Sequence, residues 1–341
     1  MIQRAAAMKV ANSTSTTAGH ETDPVKKRRQ WALLAFLAAM TVAFSSPLFS
    51  LALYAAGNDL DSYILLIPFI TAYLLHLRHK SLSAAYESST GWAFIPAAAG
   101  LTALASYWLR HQSLSENDSL SLLALAFVSL LAAGGLLFLG RKWMAGAAFP
   151  IGFLFLMVPL PDAAVQWLET ASKLASTEIA SLFFDMAGIP VLRDGTVFQL
   201  PDISIRVAQE CSGIHSSLIL VIASLVASHL ILRTSWRRAL LVAFSIPLGV
   251  VRNGFRLLVL GWLCVHEGPQ MIDSPIHHQG GPIFFVLSLA PLFLLLWALC
   301  RGERKIPREP SPKSTRAFTL PSCNPMSSPH TLEETVRKPM P

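Results

Sequence analysis

Charged side chains are scarce in this sequence. Asp, Glu, Lys and Arg supply 14% of its 341 residues, against 53% hydrophobic residues and a mean hydropathy of +0.50. A soluble domain carries about 25% charged residues, so a fully water-facing surface is excluded. No internal repeat is present, which sets aside solenoid architectures. No carboxylate and histidine spacing matches a zinc motif such as H-E-x-x-H, so metal chemistry has no sequence support. No small-residue cleavage site follows the first apolar run, which is also too long for a signal-peptide core. It reads instead as an uncleaved helix.

What is abundant is apolar sequence in lengths that suit a bilayer, roughly 17–25 residues per crossing. Eight such runs occur, at about 31–55, 63–77, 91–109, 120–139, 143–160, 213–232, 238–263 and 281–300. The expected fold is therefore an all-α polytopic membrane protein of about eight transmembrane helices. The formal net charge of +7 does not point to nucleic acid, because of where the charges fall. Lys26 to Arg29 precede the first run, Arg78 and Lys80 follow the second, and Arg141 and Lys142 follow the fourth. Arg233, Arg237 and Arg238 follow the sixth, and Arg301, Arg304 and Lys305 follow the eighth. The alternate loops, such as "AGNDLDS" and "SENDS", are acidic or nearly neutral. This is the positive-inside pattern of a chain with both termini in the cytoplasm. Residues 1–30 are Ser/Thr-rich and then basic, and 301–341 are rich in Pro, Ser and charge. Both are expected to be disordered cytoplasmic tails around an integral membrane domain at 31–300.

The two halves differ. The first five runs hold almost no ionisable residues, whereas one long external segment, about 161–212, separates the fifth run from the sixth. In "DAAVQWLETASKLASTEIASLFFDMAG", Leu168, Ala171, Ala175, Ile179, Leu182 and Met186 recur at helical spacing among charged residues. This predicts an amphipathic helix at the outer interface. A ninth crossing there would place Arg233, Arg237 and Arg238 outside, so the charge pattern rejects it. Asp194-Gly195 is a hairpin-turn dipeptide between β-branched residues. Ile203, Ile205 and Val207 then alternate with polar residues, which predicts a short strand leading to Cys211.

Residues able to do chemistry gather after that point. "QECSGIHSSL" places Glu210, Cys211, Ser212 and His215 at the threshold of an apolar run. The bland readings of Cys211 are a disulfide with Cys264, near the same face, or an inert buried thiol. The second is disfavoured by polar neighbours. "PLGVVRNGFRLL" sets Arg252 and Arg256 four residues apart inside an apolar run, on one helix face. A charge at the bilayer centre costs roughly 2.5–3.5 kcal/mol on insertion scales, so such residues usually face a polar interior. Snorkelling to the headgroups is the competing explanation. Arg256, about 27 Å along the helix from Arg238, could do so. Arg252 fits that explanation less well. His277 and His278 immediately precede the last run; adjacent residues rarely reach one metal ion together. By topology, Cys211, Arg256 and His277 share one depth on one side of the membrane. A cysteine nucleophile needs a base and a cation or donor for developing charge, and these residue types supply them.

The same residues resemble the exosortase/archaeosortase family of membrane-embedded processing enzymes. The resemblance rests on Gly188, Pro190 and Val191; Cys211, Ser212 and Gly213; Asn253 and Arg256; and His277 with Gly281. It implies a cysteine transpeptidase or protease of the bacterial inner membrane, with its site on the outer (periplasmic) face and no cofactor. The implied catalytic residues are Cys211, Arg256 and His277. Ser212, Gly213, Arg252, Asn253 and His278 are supporting or substrate-binding candidates. The implied partners are membrane lipid and exported proteins that end in a sorting motif, a hydrophobic helix and a basic tail; the acceptor nucleophile is not indicated. His278 departs from the pattern by adjoining His277, and Arg252 is a basic residue to which the pattern gives no role.

Two readings from other classes compete. A transporter or polysaccharide-export component would use Arg252 and Arg256 to hold an anionic substrate, and would need a polar path through several helices. An intramembrane serine protease would use Ser212 or Ser216 with His215, without the Gly-x-Ser context such enzymes employ.

Overall fold

The computed structural model describes residues 24–79, 90–199, 204–206, 213–268 and 281–304. The tail expectations shift at their edges. Helix α1 (Pro24–Ala43) already contains the first basic cluster, and the last helix, α11 (Gly281–Arg304), runs on through Arg301. The rest of both tails lies outside the described residues.

The first apolar run is bent. The α1 helix stops at Ala43 and α2 (Ser45–Gly57) leaves at 61°. Pro47, in the first turn of α2, cannot donate to the Ala43 carbonyl, so the hydrogen-bond ladder breaks there. The Ser45 hydroxyl instead donates to the Val42 carbonyl at 2.8 Å. A 3-10 turn (Ser62–Leu66) and α3 (Ile67–Arg78) make up the second run, which is short. The third and fourth runs form a helical pair, α4 (Thr90–Arg110) and α5 (Glu116–Phe138). Ser115 caps α5 by accepting from the Asp118 amide at 3.0 Å.

The fifth run is corrected most. The stretch 143–160 breaks into α6 (Arg141–Gly146), α7 (Ala148–Leu154) and a 3-10 turn (Phe155–Met157). Its apolar content satisfies hydropathy, but Gly146, Pro150, Gly152, Pro159 and Pro161 punctuate it too often for one continuous helix. The α8 helix (Asp162–Met186) then departs at 91°. Among the described residues, five helices are long and apolar enough to cross a membrane: α4, α5, α9 (Ile214–Ile231), α10 (Ser235–Glu267) and α11. Counting each bent pair as one span gives up to seven, in place of the eight expected.

The predicted amphipathic helix is present as α8. Leu182 and Met186 are exposed, while Ser176, Thr177, Ala180 and Phe184 form its buried face. Small side chains there let α8 close on α10 at Gly254. A Gly188 at φ +67 ends it, with the Ile189 amide donating to Phe184 O and the Gly188 amide to Asp185 O, both 3.2 Å. This is a Schellman stop, and the positive φ is why glycine occupies the position. Three short antiparallel strands follow in the order β1 (Leu192–Asp194), β2 (Val197–Gln199), β3 (Ser204–Arg206). The register pairs Asp194 with Val197, so the turn residues are Gly195 and Thr196, one place later than the dipeptide suggested. Ile203 and Val207 of the expected strand lie outside the described residues. Arg193 clasps Glu178 of α8 through both terminal nitrogens, at 2.9 and 2.6 Å.

Polar contacts sort the charges to two ends of the bundle. At one, Asn117 donates to Leu160 O and Asp162 Oδ1, and Asn58 donates to Tyr54 and Asp61. At the other, Arg78 donates to Gly146 O at 3.1 Å and Arg237 to Leu299 O at 2.8 Å. The Arg233 and Thr234 amides there both donate to Glu303. One end is thus acidic and the other basic, as the alternating loops implied.

Candidate active site

The start of α9 is where the second half's polar residues meet. Gly213, its first described residue, is left-handed at φ +64, and no side chain caps the helix. Its carbonyl accepts from the Ser217 amide at 3.0 Å, as the first helical bond requires. The Ser217 and Ser216 hydroxyls also donate to it, at 2.9 and 3.1 Å. A fourth donor comes from another helix: Arg252 Nη2 reaches the same oxygen at 3.0 Å and Ser217 Oγ at 3.3 Å.

Close approach of α9 and α10 makes this possible. A Cβ on Gly249 would stand 2.5 Å from Ser217 Oγ, and one on Gly213 would stand 2.7 Å from Asn253 Oδ1. Both positions therefore exclude a side chain. Gly249, Arg252, Asn253 and Arg256 recur at helical spacing, so one stripe of α10 carries the whole arrangement. Arg252 is 7% exposed and Asn253 2%. Snorkelling does not describe Arg252, whose charge is buried against backbone and hydroxyl oxygens. Arg256 sits one turn further on and is half-buried.

Of the residues singled out from sequence, Gly213, Arg252 and Asn253 are brought together, with Arg256 adjoining. Cys211, Ser212, His277 and His278 lie outside the described residues. Cys264 is a free thiol, 1% exposed. It packs in the cluster of Phe184, Phe198, Leu257 and Leu260. The hydroxyl of Ser216 is turned back onto its own helix, which removes it as a free nucleophile.

One neighbour had no sequence signal. Asp61, in the loop before the 3-10 turn, is only 4% exposed. Burial pushes its carboxyl up, and His215 in the first turn of α9 draws it partly back down. The Nδ1 of His215 is buried without a hydrogen-bond partner among the described residues. A loop reading "AGNDLDS" looks solvated; only the fold turns one of its carboxylates inward.

The sequence matches the family described as transmembrane exosortase across residues 54–294, about seven tenths of its length. The chain belongs to the transmembrane exosortase family. Membership makes it a multi-pass membrane protein and carries, in general terms, the family's role in processing sorting signals. No curated protein and no solved structure matches it. The exosortase match takes in the polar residues of the candidate site, from Asp61 to Arg256.

Proposed function

We propose that this exosortase-family protein cleaves the C-terminal sorting signal of exported proteins at the outer face of the bacterial inner membrane. The reading draws its support from the family match together with one observation. The Gly213 carbonyl, two residues after Cys211, accepts a hydrogen bond from a buried arginine of α10, one turn from Arg256.

In this mechanism the Cys211 thiolate attacks the scissile carbonyl, and the oxyanion is stabilised by Arg256. The carbon–nitrogen bond breaks as His277 protonates the leaving amine, releasing the substrate's apolar helix and basic tail. The thioacyl-enzyme then transfers its acyl group to an amine or hydroxyl acceptor, or to water. His277 takes the proton from that nucleophile and the Cys211 thiolate is regenerated. Ser212, Gly213, Asn253 and His278 shape the site around them. Attack at the membrane boundary explains why the enzyme is embedded: its substrate is still anchored when it is cut.

The test is co-expression with a chain from the same genome that ends in a motif, a hydrophobic helix and a basic cluster. Wild type should shorten it, Cys211→Ala should not, and Cys264→Ala should still do so if it accumulates. Equal behaviour of both variants, with both present in the membrane, would remove Cys211 from the chemistry. An anion transporter would tolerate the loss of Cys211.

A further inference from the structure

The buried guanidinium of Arg252 has no role in the mechanism above. It is a charge taken out of water that meets no carboxylate among the described residues; its partners are one carbonyl and one hydroxyl, both at the start of α9. Leaving a charge so placed is costly, and hydrogen bonds to neutral oxygens offset only part of the cost. Its other terminal nitrogen, Nη1, is buried without a hydrogen-bond partner among the described residues. A salt bridge built for stability would look different.

We propose that Arg252 is the positioning residue of the site, holding the Gly213 carbonyl and the Ser217 hydroxyl so that the backbone entering α9 is fixed two residues after Cys211. The inference rests on the exosortase reading. Three features carry it. Gly213 is in the left-handed region, so the chain turns sharply there, and a sharp turn without a side-chain cap needs support from elsewhere. The Gly213 carbonyl points along the helix toward Ser217, where Arg252 of α10 reaches both it and the Ser217 hydroxyl. Asn253, adjoining Arg252, closes against the Gly213 α-carbon so tightly that a methyl group there would overlap its amide. Arg252 and Asn253 thus hold two sides of one residue.

Both bonds come from one nitrogen, Nη2. A lysine ammonium, with three donors on one atom, can therefore replace them, although Lys is a poor substitute where two guanidinium nitrogens are used. Glutamine cannot supply the charge-assisted bond. This separates positioning through Nη2 from a substrate contact made through Nη1.

The experiment compares wild type, Arg252→Gln, Arg252→Lys, Ser217→Ala and Cys211→Ala. Each is co-expressed with the tripartite substrate, then purified in detergent for rates against substrate concentration. Alkylation of Cys211 by a maleimide is followed by peptide mapping across pH. Arg252→Gln should lower kcat by roughly 10- to 100-fold with KM little changed, and should shift the pH profile of Cys211 alkylation. Arg252→Lys should recover most of the loss. Ser217→Ala should cost a few-fold, less so when Arg252 is already Gln. Wild-type kcat in Arg252→Gln overturns the inference, as does an inactive Arg252→Lys that accumulates normally. If Arg252→Gln fails to accumulate, the Lys variant and the alkylation profile of Ser217→Ala decide. Failure of the parent reading is distinct, because then Cys211→Ala itself processes substrate.

Discussion

Asp61 is held in a place that does not favour its charge. Its carboxyl titrates above the ordinary range because burial outweighs the pull of His215. The sign of the effect on stability follows. Below an unfolded value of about 3.9 both states hold the proton and nothing is lost. As pH rises through the folded value, the folded state must ionise a buried group, and stability falls relative to a neutral side chain. Asp61→Asn removes the charge and can still accept from Asn58. It should raise the thermal midpoint of the detergent-solubilised protein at pH 7, with the gain vanishing near the unfolded value. A lower midpoint at pH 7 would mean that the carboxylate is held in place by His215. Arg252 shows the complementary case, a buried cation on the same site. Its presence was readable, since two arginines four apart in an apolar run stand out. Its partners were not, because a carbonyl oxygen has no letter in a sequence.

Among the elements, α10 is gripped on two faces. Gly249 and Asn253 meet α9, and Gly254 meets α8, where a Cβ would lie 2.6 Å from Ile179 Cγ2 and 3.2 Å from the Ala180 amide nitrogen. Gly254→Ala should therefore destabilise by about 1–3 kcal/mol, read as a drop in the thermal midpoint. Ile179→Ala in the same chain should give a loss smaller than the sum of the two, since it clears one of the overlapping atoms. Additive losses would show that the contact does not form. Helices α4, α5, α9, α10 and α11 were legible because long apolar runs bounded by polar residues leave little freedom. The run at 143–160 misled because a hydropathy window averages Pro150 and Gly152 into their apolar neighbours and does not weigh what they do to a backbone. The Schellman stop at Gly188 and the strands after it were foreshadowed by Gly, Pro and Asp-Gly, with the turn displaced by one residue.

For the molecule as a whole, the separation of acidic and basic ends gives the bundle a polarity that the loop charges had announced. The candidate site lies at the acidic end, where Asp61 feels the charge of His215 and α9 begins. The α10 helix links the two ends. Its 33 residues extend about 50 Å, well beyond the ~30 Å of a hydrocarbon core. Arg237 and Arg238 stand at its basic beginning, and Arg252 follows about 17 residues from its first, some 26 Å along the axis. A substrate whose basic tail stays level with those arginines, and whose helix runs beside α10, would have travelled the same distance when its chain reaches Gly213. On the proposed function the protein would then be a gauge as well as a blade, accepting substrates by the length of their apolar segment. Removing about four residues from that segment draws the cut site ~6 Å short of the site, and processing should fall sharply while membrane insertion persists. Uniform processing of long and short segments would show that nothing is being measured.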